Sequence, residues 1–257
     1  MSYIDTLIIS ITQAITELYP ISSSAHLIIV TKFLNIEPSL MLLTSLHLGS
    51  ALALIVVYRY QLNITIKKLL KIDKDEFLKY LFGITPAIIG GVLISGFIED
   101  IFYGVAIIAF NLMFWGILMI LIEYFEIRSK RMTRDVVSVR DSILIGMSQL
   151  LALIPGTSRS GITTMTGMLC GVRKDVALDF SFLIGIPLLL GAFFYEAIKD
   201  SDNRNMLNTQ YIIGIIVTFI ASLIALKFLR KFSTKRFLTL FGVYRIILGI
   251  SLLLWLF

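Results

Sequence analysis

The chain has 257 residues, of which 57% are hydrophobic and 16% charged, and its mean hydropathy is +0.90. A soluble helical protein needs a polar face on each helix, and the long apolar segments here lack one, so a water-soluble fold is excluded. The net charge of +6 does not point to nucleic acid, because 18 of the 23 Lys and Arg residues fall in four short connections.

The N-terminal residues Met1 to Asp5 include no basic group, so a cleaved signal peptide is not expected. Residues 5–32 form an apolar stretch broken at Pro20. Residues 38–58 follow, uncharged unless His47 is protonated, and 80–98 and 101–122 carry no charge before Glu99-Asp100 or after it. Residues 142–170 are apolar but interrupted by Pro155-Gly156. The spans 176–196, 205–226 and 237–257 complete the chain; the first contains Asp179 and the last Arg245. At 1.5 Å per residue, six of these segments can cross a hydrocarbon core of roughly 30 Å. The single cysteine, Cys170, rules out an internal disulfide.

The basic residues set the orientation. They concentrate in 59–79, 128–140, Arg173-Lys174 and 227–236, which the positive-inside rule makes cytoplasmic. Residues 142–170 therefore begin and end on the same side, as a re-entrant helix–loop–helix broken at Pro155, and residues 5–32 read as a second such hairpin entering from outside. The expected fold is an all-α integral membrane protein of one domain, with six transmembrane helices and two re-entrant hairpins. Repeat one runs over about residues 1–126 and repeat two over about 140–257. Three spans per repeat is an odd number, so the copies have inverted topology. Pro20-x-Ser-Ser echoes Pro155-x-Thr-Ser, and Gly49 and Gly185 follow at similar distances. Irregular backbone at membrane depth needs protein or a wet cavity around it, so the two loops should meet inside.

The loops carry the chemistry. Gln13 and Glu17 are four residues apart and share a helix face, where they can hold a divalent cation or position a proton. Ser22, Ser23, Ser24 and His26 follow across Pro20; any one serine could be an ordinary helix cap, but capping does not explain Glu17 and His26 in an apolar hairpin. In the second loop, Thr157-Ser-Arg-Ser-Gly161, the Arg159 guanidinium and the start of a helix suit phosphate oxygens. Arg159 could equally pair with Glu17. An anion clamp, hydroxyls, an imidazole and a carboxylate together suit phosphoryl transfer.

Gln13–Leu27 (QAITELYPISSSAHL) and Pro155–Gly161 (PGTSRSG) resemble the two signatures of the undecaprenyl-diphosphate phosphatase family, the bacitracin-resistance type. The similarity extends along the chain through His47-Leu-Gly49, Thr85-Pro-Ala87, Phe180–Leu183 and Tyr244–Ile246. The resemblance implies removal of the terminal phosphate of undecaprenyl diphosphate, which recycles the carrier lipid for cell-wall synthesis. It implies a plasma-membrane location, a pocket open to the outer face and a divalent cation, Mg2+ or Ca2+. Glu17, Ser23, His26 and Arg159 fall on the catalytic positions, with Gln13, Ser22, Ser24, Ser158, Ser160 and Thr163 as substrate-binding neighbours; Glu17 and Gln13 are the metal candidates. His26, three residues after Ser23, is expected as its base, with attack by His26 itself or by metal-bound water as alternatives. The expected partners are the polyprenyl diphosphate and membrane lipids, with a homodimer as a possible assembly and no nucleic acid. A different class of function, a carrier or flippase for a lipid phosphate, needs the Arg159 clamp but no nucleophile.

The remaining polar residues have plainer expectations. Arg245 should pair with Glu123 or a carbonyl, His47 should be a satisfied interior histidine, and Asn111 should hydrogen-bond locally. The basic loops should meet anionic headgroups.

Overall fold

The computed structural model describes residues 1–102, 104–129, 133–199, 208–232 and 236–256. Its regular elements are eleven α-helices: α1 (Tyr3–Leu18), α2 (Ser23–Leu34), α3 (Leu40–Val57), α4 (Arg59–Leu70), α5 (Lys74–Phe102), α6 (Val105–Ser129), α7 (Val139–Ser148), α8 (Arg159–Leu169), α9 (Lys174–Lys199), α10 (Thr209–Phe232) and α11 (Phe237–Leu256). A single 3-10 turn, Gln149–Leu153, lies between α7 and α8. Among the described residues, six helices are long and apolar enough to cross a membrane: α3, α5, α6, α9, α10 and α11. These correspond to the six segments expected from hydropathy; residues 205–207 and 257, included in two of the expected spans, lie outside the described residues.

Two boundaries differ from the expectation. Helix α5 starts at Lys74 and continues through Glu99-Asp100 to Phe102, so the break before α6 comes later than the acidic pair suggests. Acidic residues are poor markers of a helix end unless they cap the next helix, and here the next helix begins only at Val105. The basic connection 59–79 contains a helix of its own, α4, which mixes Arg59, Lys67 and Lys68 with Leu62, Ile64, Ile66 and Leu69 and lies beside α3 and α5.

The four short helices α1, α2, α7 and α8 have 16, 12, 10 and 11 residues. At 1.5 Å rise none reaches across roughly 30 Å of hydrocarbon. They are placed by packing against the long helices, and the two halves of the chain interleave. Helix α1 packs on α10, α7 packs on α5, α3 packs on both α9 and α10, and α6 packs on α11. The α6–α11 crossing is close because glycine faces glycine: a Cβ at Gly116 would lie 2.7 Å from the Gly242 oxygen, and one at Gly242 would lie 2.6 Å from the Gly116 oxygen. Between apolar helices in lipid, such small-residue contact maximises dispersion attraction where no hydrophobic drive exists. The α3–α10 seam is similarly tight at Gly49, with Ser50 and Ser222 hydroxyls 3.4 Å apart beside it. The main apolar core gathers around Leu54, Tyr58, Met165, Phe182 and Phe237, contributed by α3, α8, α9, α11 and the α3–α4 junction.

Candidate active site

The two serine loops meet, and they are built alike. Helix α1 ends at Leu18 before Pro20, and α2 starts after Ser22, which caps it with φ +72°. Helix α8 starts after Ser158, which caps it with φ +76°. Each cap hydroxyl accepts the backbone N–H three residues on, Ala25 at 3.4 Å and Gly161 at 3.3 Å. Each also contacts the next hydroxyl but one, Ser24 at 3.2 Å and Ser160 at 3.4 Å. Left-handed backbone at a non-glycine residue costs on the order of 1–3 kcal/mol and persists only where the surroundings enforce it. In register Ser22–Ser158 the spacing is 136 residues, the same as Gly49–Gly185; the second loop carries one extra residue after its proline.

Gly156 and Arg245 lock the loops together, and Asn111 ties the second loop to α6. The Gly156 N–H donates to Ser22 Oγ at 3.1 Å. Asn111 on α6 donates to the Pro155 oxygen at 2.7 Å and to Thr157 Oγ1 at 3.0 Å, a long-range role rather than the local one expected. Arg245 on α11 is completely buried and donates to the main-chain oxygens of Pro20 (3.2 Å), Thr157 (2.9 Å), Leu112 (3.4 Å) and Gly156. Of the two partners foreseen for Arg245, carbonyls hold it. Glu123 instead accepts from Lys174 at 2.8 Å and from the Thr239 N–H at 2.7 Å.

Above the loops lies a cavity of about 320 Å³ lined by Glu17, Ser22, Ser23, Ser24, Ser158 and Arg159, with His47, Thr16 and Gln149 beside them and an apolar wall of Leu153, Leu188 and Leu189. Glu17 is its hub. Oε1 accepts from Arg159 Nη2 at 2.8 Å, and Oε2 accepts from Ser23 Oγ at 2.8 Å and from Gln13 Nε2 at 3.1 Å. His47 Nε2 stands 4.0 Å from the same oxygen, and His47 Nδ1 is buried without a hydrogen-bond partner. His47 is therefore part of the site and not a satisfied interior histidine. Arg159 is held from behind by the Ser181 oxygen at 3.1 Å, and its guanidinium lies flat on α9 where Gly185 has no side chain; a Cβ there would overlap it.

Of the sequence-selected residues, the structure brings Glu17, Ser22, Ser23, Ser24, Ser158 and Arg159 to one cavity wall. Gln13 is fully buried behind Glu17. Ser160 and Thr163 are buried away from the cavity, where Thr163 Oγ1 meets Ser181 Oγ at 2.6 Å and braces α8 against α9. His26 does not reach Ser23. Its Nδ1 donates to the Ser22 oxygen at 2.8 Å, and in the neutral ring its Nε2 accepts from Tyr244 at 2.7 Å. Three-residue helical spacing puts Ser23 and His26 on neighbouring faces, but α2 turns His26 toward α11 and Ser23 toward the cavity. Ser181, Gly185, Asn111 and Tyr244 escaped sequence reasoning as site residues because each acts through a contact far along the chain. Gln149 had a signal: it stands 136 residues after Gln13.

The sequence profile described as "Bacitracin resistance protein BacA" matches residues 6–251. The chain belongs to this family. An undecaprenyl-diphosphatase of Lactococcus lactis subsp. cremoris (strain SK11) is 35% identical over 277 residues, covering 99% of this chain and 97% of the relative. Proteins of the same name from Sulfurihydrogenibium sp. (strain YO3AOP1) and Enterococcus faecalis (strain ATCC 700802 / V583) are each 36% identical, covering 99% and 98% of this chain and 100% and 96% of their own lengths. Family membership extends across both loops and every membrane-crossing helix, so the cavity is that of a multi-pass membrane protein of this family.

Proposed function

We propose that the chain is an undecaprenyl-diphosphatase that hydrolyses the terminal phosphate in the cavity between the two serine loops, returning the monophosphate lipid to cell-wall synthesis. The observation that carries this reading is the continuous chain Ser23–Glu17–Arg159, which joins a hydroxyl, a carboxylate and a guanidinium in one buried pocket. Without ligand, Arg159 is neutralised by Glu17; an entering diphosphate competes for the guanidinium fork and leaves Glu17 Oε2 free to take a proton from Ser23. Ser23 Oγ then attacks the terminal phosphorus, and the bridging oxygen leaves with the lipid monophosphate. Glu17 passes that proton to the departing bridging oxygen; water next cleaves the phosphoserine, giving a proton to Glu17, which returns it to Ser23 Oγ as inorganic phosphate leaves. The α8 N-terminus adds N–H groups toward the phosphoryl oxygens, and Arg159 neutralises the charge they carry in the transition state.

The donors present suit a hard cation: Gln13 Oε1 is a buried oxygen without a partner, next to a carboxylate. Among the described residues no three acidic, His or Cys side chains gather, so Glu17 and Gln13 would be the protein's share, the lipid phosphates and water completing the shell. Such an ion supplies further neutralisation of the diphosphate.

The wider reading has two halves of inverted topology, each a re-entrant hairpin plus three spans, with the cavity opening to the outer face. It is supported by the twin left-handed serine caps, the interleaved packing and the concentration of Lys and Arg in four connections. A lipid-phosphate carrier would need the Arg159 clamp but would have no use for the Ser23–Glu17 bond. Quenching turnover in acid and in alkali tests the chemistry: an acid-stable, alkali-labile phosphoryl adduct that disappears in Ser23→Ala is expected, whereas an acid-labile adduct assigns the attack to a histidine.

A further inference from the structure

The lipid chain of a bound substrate must leave the polar cavity. A second cavity of about 630 Å³ shares Ala87, Leu188 and Ala192 with the polar one and runs between α5 and α9. Leu188 lies near the midpoint of α9, and the cleft continues to Lys199 at its outer end, roughly 16 Å of helix.

Its walls contain an unexplained pair of residues. Gly91 and Gly191 both line the cleft, and a Cβ built at either would meet nothing within 4 Å. Every other glycine with such a test lies against a neighbour, most of them so tightly that a side chain would force helices apart. Glycine within a helix costs roughly 0.5–1 kcal/mol relative to alanine, and close packing usually explains it. Here no packing does. What the two positions provide is room, flanked by the exposed apolar side chains of Ile88 (51%) and Val92 (65%). Helix α5 is largely unburied along its spanning part, so the cleft faces the surroundings of the bundle rather than a sealed core.

We propose that the α5–α9 cleft is the slot that holds the first isoprene units of the lipid substrate, with Gly91 and Gly191 setting its width. This rests on the assignment of the polar cavity as the phosphate site. The occupant follows from continuity: a group bound at Arg159 and Ser23 has an apolar channel beginning at Ala87 and Leu188, and the substrate is a diphosphate on a methyl-branched polyprenyl chain. Tyr195, Glu196 and Lys199 line the far mouth, where an interfacial tyrosine and charges of both signs meet the headgroup region.

Side chains at the two glycines test it. Gly91→Leu and Gly191→Leu have free space, so they should fold, and Gly191→Ala should raise the thermal midpoint. Each leucine variant should raise KM for undecaprenyl diphosphate by about tenfold or more while leaving kcat/KM for dimethylallyl diphosphate, whose single isoprene unit stops short of Gly91 and Gly191, within about twofold. In a Cys170→Ser background, methanethiosulfonate labelling of Gly191→Cys should be slowed by undecaprenyl phosphate and unaffected by inorganic phosphate. Equal losses on both substrates would show a disturbed catalytic cavity instead of a filled slot. Unchanged kinetics on the long substrate, together with no protection of the cysteine, would overturn the proposal and make both glycines mere lipid-facing positions. If the phosphate-site assignment is what fails, Arg159→Lys will turn over undecaprenyl diphosphate normally, whatever the glycine variants do.

Discussion

At the scale of single residues, Glu17 is the group on which the others depend. It accepts hydrogen bonds from Arg159, Ser23 and Gln13 at once, so its loss unpairs a guanidinium and removes the serine's base together. Glu17→Gln should lower kcat by about 10²–10⁴-fold in a detergent assay of phosphate release. Arg159→Lys keeps the charge but not the fork, and should cost roughly 2–4 kcal/mol of transition-state binding, about 30- to 1000-fold in kcat/KM. The His26 pairing leads to a different ranking. Because His26 is held by the Ser22 oxygen and Tyr244, Tyr244→Phe should reduce turnover by less than about tenfold, whereas Ser23→Ala should abolish it. A Tyr244→Phe enzyme as inactive as Ser23→Ala would return His26 to the chemistry.

At the scale of elements, the loops work because short helices start at strained serines and are braced by longer ones. The α6–α11 glycine crossing is one such brace, since α11 carries Arg245 and α6 carries Asn111. Gly116→Ala should push those helices apart and cost about 1–3 kcal/mol, read as a lower thermal midpoint in detergent. Helix α7 is anchored at the basic end by a capping box, Ser138 with Asp141, and by a two-pronged Arg134–Asp141 pair at 2.8 and 3.0 Å. Burial pushes the Asp141 carboxyl up, but the Arg134 fork and the Ser138 hydrogen bonds outweigh it and hold the group below its usual range. A depressed folded value means that this pairing stabilises the fold above the unfolded carboxylate range, near pH 4, and the contribution disappears as pH falls through the folded value. Wild-type protein should therefore lose about 1 kcal/mol more stability than Asp141→Asn between pH 5 and strongly acidic conditions, measured by thermal melts.

At the scale of the whole molecule, one buried cation holds the two half-sites in register. Arg245 satisfies carbonyls of the first loop, the second loop and α6 simultaneously. Arg245→Lys cannot span all of them, and each carbonyl left unpaired at that depth costs roughly 1–3 kcal/mol. Turnover and thermal midpoint should fall together, with kcat lowered by about tenfold or more. The orientation is tested separately. In intact cells, cysteines placed at Lys67 to Lys71 in a Cys170-free background should be shielded from impermeant reagents, and cysteines at the N-terminus should be labelled.

The sequence by itself determined the membrane character, the six spans, the two loop motifs and the family, because long uncharged runs and contiguous motifs are local properties of the chain. Glu17, Ser23 and Arg159 were legible for the same reason: a carboxylate, a hydroxyl run and a guanidinium in apolar sequence cannot be there for solubility. Only the tertiary structure decided which partner each group takes. It turned His26 away from Ser23 toward Tyr244, brought His47 within 4.0 Å of Glu17, and gave Arg245 to carbonyls instead of Glu123. It also withdrew Ser160 and Thr163 into the α8–α9 contact. Those pairings, between residues 18 to 218 positions apart, depend on how far the helices rotate about their axes as they pack. Helical spacing states which residues share a face, but the neighbouring helices decide what that face meets.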